Sequence, residues 1–311
     1  MSPRRSAHFG YGSPARMRGV AFVLVMWVIA MLSVLLGSFA LIARTESLQA
    51  RHLFDTTAAR YAAEAGLNLA VYGLSKGIPE QRWVADGRPY AFGFDTAQVE
   101  VSITDDSGKI DINTADTLML KSLFVSAGVE DALATELADS IQDWRDPDDL
   151  SLPNGAEIAD YKAVGLTYGP RNAPFETLSE LQQVLGMTYD LYMRVEPALT
   201  LFSGRGIPSA AYAPFEALMA MPDMTEEMAR QIIAERQQLQ PGMLNSGQSG
   251  LTLPDGTPVM ADGGGLTYSV KSHAKLPNGA STTLDATIRM GGMNPAGRPF
   301  VVLRWRDGET S

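Results

Sequence analysis

The sequence contains no cysteine, so disulfides cannot stabilise any part of this 311-residue chain. It has only three histidines, His8, His52 and His273, which stand far apart along the sequence. Zinc sites are built mainly from cysteine and histidine, so this composition argues against one. A metal ion bound through oxygen atoms is one other way to stabilise long loops.

The usual sequence signatures of catalysis are also missing. The chain has no thiol, no H-E-x-x-H or G-x-S-x-G motif and no phosphate-binding loop. Paired carboxylates occur only in one acidic loop, where their crowding suits a cation better than an acid–base pair. We therefore predict that the protein is not an enzyme. A metal-dependent surface hydrolase is the weakest alternative, and divalent-dependent turnover would support it.

Acidic residues are absent from the first 19 positions, which contain four arginines. Residues 20–43 carry no charge, and their only polar side chains are Ser33 and Ser38. A helix of that length measures about 36 Å, which is enough to cross a ~30 Å hydrocarbon layer. Because basic flanks stay on the cytoplasmic side, the pattern predicts a single-pass anchor with a cytoplasmic N-terminus and an exported C-terminal part.

The junction between the basic leader and the apolar run distinguishes two kinds of anchor. A secretory signal has a small-residue cleavage site after the apolar run, and no such site closes this one. Gly19 stands directly before the run instead, which resembles the type IV prepilin class. That resemblance implies cleavage between Gly19 and Val20 by a prepilin peptidase, with methylation of the new Val20 amine. The alternative is a plain signal anchor in which Gly19 is accidental.

The fifth residue after this junction is Leu24, where most prepilins carry glutamate. A carboxylate at this depth is costly unless it has a partner, which in that class is the N-terminal ammonium of a neighbouring subunit. A subunit without the acid suits the leading end of a filament. The alternative interpretation of Leu24 is that the chain is not a pilin.

Beyond the anchor, the patterns predict an α+β fold. Residues 44–74 keep apolar residues at helical spacing, and residues 62–68 resemble the stalk of pilin-type proteins. Strand-like patterns cover residues 82–104, 266–275, 283–290 and 300–306. An antiparallel sheet with one buried face needs an apolar partner, and the stalk helix is the expected one.

Residues 110–236 predict helices that are built twice on a similar plan, with Thr114 and Thr225 as expected N-caps. Each copy resembles a helix-hairpin-helix unit, which usually binds the DNA backbone. A membrane-anchored DNA-uptake receptor is therefore the main alternative function. The charges oppose it, because residues 105–160 hold 14 acidic and 3 basic residues, a net charge of −11. Phosphate binding needs the opposite sign, so we expect no nucleic-acid partner.

An acidic loop lies between the two copies and supplies the candidate metal ligands. Ca²⁺ takes about six to eight oxygen ligands in irregular geometry, which an acidic loop with asparagine and glycine can provide. The candidate calcium ligands are Asp146, Asp148, Asp149, Asn154 and Glu157. An ordinary solvated acidic loop is the alternative.

Several motifs occur in a distinctive order after the anchor. They are KIDINTAD at 109–116, DWRDPDD at 143–149, PNGAE at 153–157, RNAPF at 171–175 and LSEL at 178–181. Together with the anchor they are similar to the K-type minor pseudopilins of the bacterial type II secretion system. The resemblance implies a protein of the inner membrane, at the tip of a periplasmic pseudopilus, that initiates assembly, limits growth and aids export of folded proteins. It also implies calcium binding.

The partners implied by this resemblance are the minor pseudopilins of the I, J and H types, the prepilin peptidase, the inner-membrane assembly platform and secreted proteins. The implied fold is a long transmembrane and stalk helix on a small antiparallel pilin-like sheet, with a large all-α, helix-hairpin-helix-like domain inserted between strands. The predicted segments are the leader 1–19, the transmembrane helix 20–43, the stalk and first strands 44–105, the insert 106–240 and the last strands 241–311.

Overall fold

A computed structural model describes residues 18–78, 81–240, 243, 249–261, 264–291, 297 and 299–308, with side chains from Ala21 onward. The chain divides into two compact units at the boundary between Asp55 and Thr56. Helix α1 (Arg18–Ser75) contributes to both. Among the described helices, only α1 is long and apolar enough to cross a membrane, by length and composition. This agrees with the predicted anchor.

The second unit contains a five-stranded antiparallel sheet in the order β1-β2-β5-β6-β7. Its strands are β1 (Asp86–Phe94), β2 (Ala97–Asp105), β5 (Thr267–Lys275), β6 (Ser281–Met290) and β7 (Phe300–Asp307). The chain between β2 and β5 forms a helical region. The predicted α+β arrangement, with a helical insert between strands and a long helix packed on the sheet, is therefore confirmed.

The part of α1 that follows Thr56 packs on one face of this sheet. Val99, Val101 and Ile103 alternate along β2 and are buried beneath the helix, as the sequence pattern predicted. Gly66 makes the closest approach, because a Cβ atom there would lie 2.1 Å from Ser272 Oγ and 2.9 Å from Val101 Cγ2. Any side chain at position 66 would push the helix away from the sheet.

Ser272 is a weak point in this otherwise apolar interface. Its side chain is fully buried, and its hydroxyl has no hydrogen-bond partner among the described residues. A buried polar group without a partner costs free energy, so Ser272→Ala is expected to raise the free energy of unfolding by about 1 kcal/mol. Urea denaturation of the two chains in the same detergent measures this difference, and a less stable Ser272→Ala protein would contradict the expectation.

In its described residues, the inserted region contains six α-helices, three short 3-10 helices and a two-stranded parallel pair. The helices are α2 (Thr117–Ser126), α3 (Asp131–Arg145), α4 (Ile158–Ala163), α5 (Tyr189–Val195), α6 (Phe215–Met219) and α7 (Glu226–Gln238). The pair joins β3 (Ile110–Asp111) to β4 (Leu199–Thr200). A separate hydrophobic core, built largely from α2, α3 and α5–α7, fills this region.

The two helical hairpins, α2–α3 and α6–α7, share a backbone detail at their turns. Gly128 in the first turn has φ of 86°, and Asp223 in the second has φ of 55°. Thr225 caps α7 as predicted, since its side chain accepts the Met228 N–H. The prediction of Thr114 as the other N-cap is wrong. Asp116 stands directly before α2, and its carboxylate accepts the Met119 N–H at 2.8 Å.

The sheet and the insert are joined by a buried polar junction at the end of β2. Asp106 accepts hydrogen bonds from Thr200 in the insert and from Ser269 in β5, at 2.7 and 2.6 Å. Gly108 lies against the backbone of the insert, where a Cβ atom would be 2.3 Å from the Tyr212 carbonyl carbon. The junction therefore depends on a satisfied buried acid and on one position without a side chain.

Candidate metal centre

The acidic loop 146–157 is folded back on helix α3 by two buried aspartates, Asp139 and Asp143. Asp139 accepts hydrogen bonds from the backbone N–H and the side-chain amide of Asn154, at 3.3 and 3.0 Å. Asp143 is fully buried and accepts the Leu152 N–H at 3.2 Å on both carboxylate oxygens. These residues are four positions apart, so they lie on the same side of α3.

The loop fits closely enough around Asp143 to require glycine at position 155. A Cβ atom on Gly155 would lie 1.9 Å from Asp143 Oδ2. The glycine therefore lets the loop backbone approach a carboxylate that points into the fold.

Two of the predicted calcium ligands bring buried oxygens to this region. Glu157 is 5% exposed, and neither of its carboxylate oxygens makes a well-formed hydrogen bond with any described residue. Its carboxylate leans toward the first turn of α4, whose Asp160 accepts the Glu157 N–H at 2.9 Å. Oδ1 of Asp146 is likewise buried and without a partner in the described part of the chain.

The other three predicted ligands have their own contacts. Asp148 Oδ1 accepts the Leu150 N–H at 2.9 Å within the exposed part of the loop. Asp149 Oδ1 accepts the Asn172 side-chain amide at 2.8 Å. Asn154 donates its amide to Asp139, as described above. The structure therefore places Glu157 and Asp146 close enough to Asp143 for their charges to interact, and it directs Asn154 to a separate acid.

Two residues that the sequence analysis did not select, Asp143 and Asn172, belong to the same region. Asn172 has φ of 53°, and its amide nitrogen bonds the Asp148 carbonyl and the Asp149 carboxylate. Its Oδ1 is buried and has no partner among the described residues. The spacing of Asp139 and Asp143 on α3 is a signal that could have revealed Asp143. No local pattern connects Asn172 to a loop more than 14 residues away.

A group of aromatic side chains supports the acidic region from within. Trp144 stacks on Phe175 with ring centroids 5.9 Å apart, and Tyr161 packs against Trp144 at 6.2 Å. Asn113 fixes the Phe175 backbone through two hydrogen bonds, accepting its N–H at 2.8 Å and donating to its carbonyl at 3.0 Å. The segment that carries Asn172 is thereby held against the acidic loop.

Burial and mutual repulsion raise the pKa values of the central carboxyl groups. Loss of hydration raises the pKa of Glu157, and the nearby Asp143, Asp146 and Asp149 raise it further. Burial also raises the pKa of Asp143, to which repulsion by Asp146 adds. Each carboxylate is therefore costly in its charged form without a positive partner.

The available atoms fit a hard cation. They are carboxylate and amide oxygens. Asp146, Glu157 and Asn172 have buried oxygens without a well-formed hydrogen bond in the described residues, and the Glu157 carboxylate faces the N–H groups of Ile158 and Asp160. Oxygens of this kind are the ligands that Ca²⁺ takes. In the described residues, however, no group of three or more acidic or histidine side chains is arranged so that it could hold a metal ion. The oxygens are near one another but do not meet at one point.

A pH dependence follows from the raised pKa of Glu157. Above the ordinary value of 4.5, the folded protein holds this proton more tightly than the unfolded chain, so stability falls as pH rises through the raised pKa. In a chelator at pH 7, Glu157→Gln is expected to be more stable than the unmodified chain. The difference should shrink as pH is lowered toward 4.5. Thermal unfolding at several pH values measures it, and a constant difference would contradict the expectation.

The predicted cleavage junction between Gly19 and Val20 lies at the N-terminal end of the described residues. Most of the predicted leader falls outside them, and for Gly19 and Val20 the structure gives only helical backbone. Cleavage and methylation at this junction therefore stay predictions. Leu24 is an exposed side chain on the apolar part of α1.

Comparison with known proteins gives consistent matches. A family model described as type II secretion system (T2SS), protein K matches residues 100–204. The type II secretion system protein K of Klebsiella pneumoniae is 26% identical over 203 residues, which cover 58% of this chain and 62% of that protein. The protein of the same name from Pectobacterium carotovorum is 36% identical over 80 residues, covering 26% and 23%.

The fold is similar to a chain in the crystal structure of the GspK-GspI-GspJ complex of the type 2 secretion system of enterotoxigenic Escherichia coli. The TM-score is 0.52 at 19% identity, with 86% of this chain and 99% of that chain covered. At this identity the likeness concerns the fold. This chain aligns with less than two thirds of the length of the curated relatives above.

Proposed function

We propose that the chain is a member of the type II secretion system protein K family and a minor pseudopilin, a structural subunit that is anchored in the inner membrane and joins a periplasmic pseudopilus. The observation that carries the proposal is helix α1, which runs from an uncharged membrane-length segment into a segment packed on the sheet. This combination suits a subunit that is anchored in the membrane before it joins a filament. In this proposal, α1 and the sheet together form the pilin-like domain.

The proposal requires processing of the leader at the glycine junction. Removal of residues 1–19 leaves Val20 as the first residue of an apolar helix, with its amine methylated. Mass spectrometry of the protein from membranes is expected to find methylated Val20 at the N-terminus. An intact Met1, or cleavage beyond Ala40, would contradict the proposal. Gly19→Leu should retain the leader.

The tip position is a further part of the proposal, and Leu24 supports it. A subunit with leucine there has no carboxylate to neutralise the ammonium of a subunit ahead of it. The helical insert adds bulk to a pilin-like sheet. We propose that the subunit initiates assembly, limits growth and helps folded proteins cross the outer membrane. Co-purification with I- and J-type subunits through α1 is expected, and failure to associate would contradict this position.

Calcium is proposed as a structural ion of the acidic region. Glu157, Asp146 and Asp143 would supply carboxylate oxygens, and Asn172 would supply an amide oxygen. When bound, the ion would provide the positive charge that these buried carboxylates lack. It would also connect the loop after α3 to the segment that carries Asn172.

One measurement distinguishes the proposed pseudopilin from the alternative function, a DNA-uptake receptor. The turns of both hairpins are followed by acids, Glu130 and Asp131 in the first and Glu226 and Glu227 in the second. These residues repel phosphate at the place where helix-hairpin-helix units usually bind it. A gel shift with duplex DNA at low salt is expected to detect no binding. Tight binding would favour the receptor.

A further inference from the structure

The same five residues, Leu-Pro-Asn-Gly-Ala, occur twice in the chain, at 152–156 and at 276–280. Both copies form the same tight turn, in which the glycine N–H donates to the leucine carbonyl at 3.0 Å. The first copy belongs to the acidic loop, and the second connects β5 to β6. One short sequence therefore stands in two different tertiary environments.

An asparagine followed by glycine can lose its side-chain amide in a reaction that needs only water. The glycine main-chain nitrogen bonds to the side-chain carbonyl carbon, Cγ, and the Cγ–Nδ2 bond breaks. The proton of the glycine nitrogen leaves with the amide as ammonia, and a cyclic imide remains. Water then opens the imide at either carbonyl and gives aspartate or isoaspartate, whose main chain runs through Cγ. Glycine favours the attack because no side chain obstructs its nitrogen.

The second copy leaves its asparagine open to this attack. Asn278 and Gly279 are both exposed, and a Cβ atom on Gly279 would meet no atom within 4 Å. Asn278 Oδ1 accepts the Ala280 N–H at 3.1 Å, which polarises the carbonyl that is attacked and stabilises the negative charge that develops on Oδ1. Apart from the turn, which both copies share, nothing in the described part of the chain holds the leaving nitrogen in place.

The first copy holds its asparagine in place, although Asn154 is also exposed. The amide nitrogen of Asn154 donates to Asp139 Oδ2 at 3.0 Å, and its main-chain N–H donates to the same oxygen at 3.3 Å. The Ala156 N–H, at the position of the polarising donor in the second copy, interacts with the Asp143 carboxylate. Gly155 lies so close to Asp143 that a Cβ atom would be 1.9 Å from Oδ2. A negative charge this close opposes the loss of the Gly155 N–H proton, which the attack requires.

We propose that Asn278 is a site of spontaneous deamidation in the folded protein and that Asn154, in the same five-residue sequence, is protected. The product at position 278 carries a new carboxylate in place of a neutral amide. The isoaspartate form also adds a carbon to the main chain between β5 and β6, where the Leu276 N–H bonds the Ala280 carbonyl at 2.8 Å. Modification therefore acts on the turn that fixes the register of these strands. The proposal is independent of calcium and of the tip position.

The test follows both asparagines in one sample of the full chain, kept in detergent in warm neutral buffer. Trypsin is expected to release residues 146–162 and 276–289, and each of these peptides contains one asparagine. Mass spectrometry at successive times is expected to show Asn278 converted at least about ten-fold faster than Asn154, because a hydrogen bond to a charged group must first break at Asn154. In urea the two rates should agree within about two-fold, since the local sequences are the same.

Asp139→Ala is the matched variant, because it removes the acceptor of the Asn154 amide and leaves the second copy unchanged. It should speed deamidation of Asn154 several-fold and leave the rate at Asn278 the same. Circular dichroism establishes that the variant is folded, and the comparison within the unmodified chain tests the proposal without it. Equal rates in the folded chain, no conversion of Asn278 in the time that the urea-treated chain reacts, or an unchanged rate at Asn154 in folded Asp139→Ala would overturn the proposal.

Discussion

Gly108→Ala is expected to lower the free energy of unfolding by about 3 kcal/mol and to loosen the insert from the sheet. The added Cβ would lie 2.3 Å from the Tyr212 carbonyl carbon and 2.5 Å from the Ala213 nitrogen. These are backbone atoms that cannot rotate away, so the junction beside Asp106 must shift. Chemical denaturation followed by tryptophan fluorescence measures the loss.

Gly93→Ala is the control for this substitution. Gly93 lies in β1, and a Cβ atom there would meet no atom within 4 Å. It makes the same chemical change without the close contact and is expected to alter the free energy of unfolding by less than about 1 kcal/mol. If both variants were equally stable, the insert would not be fixed to the sheet at Gly108.

Glu157→Gln is expected to abolish the stabilisation of the protein by calcium. If calcium binds as proposed, at a concentration about a thousand times its dissociation constant it would add about 4 kcal/mol to the free energy of unfolding of the unmodified chain. The variant keeps the shape of Glu157 but removes the charge that repulsion and burial make costly. Thermal unfolding in chelator and in calcium, together with calorimetric titration, measures the difference. A calcium response of normal size in Glu157→Gln would contradict the proposed role of this residue.

Asp148→Asn makes the same kind of change in the same loop. Asp148 is an exposed residue whose Oδ1 is bound to the Leu150 N–H. This variant is expected to keep most of the calcium response. A complete loss would mean that the loop rearranges around the ion and that the sequence-based ligand set, with Asp148 included, is the better one.

The elements with a regular pattern could be predicted from the sequence, because burial on one face imposes a period on the chain. The alternation of Val99, Val101 and Ile103 defined β2 and its buried face, and the uninterrupted helical spacing defined α1. The cap of α2 could not be chosen in the same way. Thr114 and Asp116 are both good cap residues, and only the folded turn shows that Asp116 accepts the Met119 N–H.

The candidate metal region was predictable only where its residues are close in sequence. Density of acids indicated the loop that contains Asp146 and Glu157. Which of those oxygens are buried depends on how the loop folds on Asp139 and Asp143, and this is decided by long-range contacts. Asn172 lies beside the acidic loop because Phe175 packs on Trp144, and no local sequence pattern encodes that contact.

The order of strands sets the sequence of events when this protein folds. Strand β2 finds its neighbour β5 only across the whole insert, since Asp105 pairs with Tyr268. Until β5 to β7 have joined the sheet, the β1–β2 hairpin is two strands, too few to form a stable sheet beneath α1. The insert has its own core and can form first. Closing the sheet is slower, because it brings together strands that are far apart in sequence and this costs loop entropy. A chain truncated before β5 is therefore expected to leave the sheet-facing side of α1 at Gly66 uncovered.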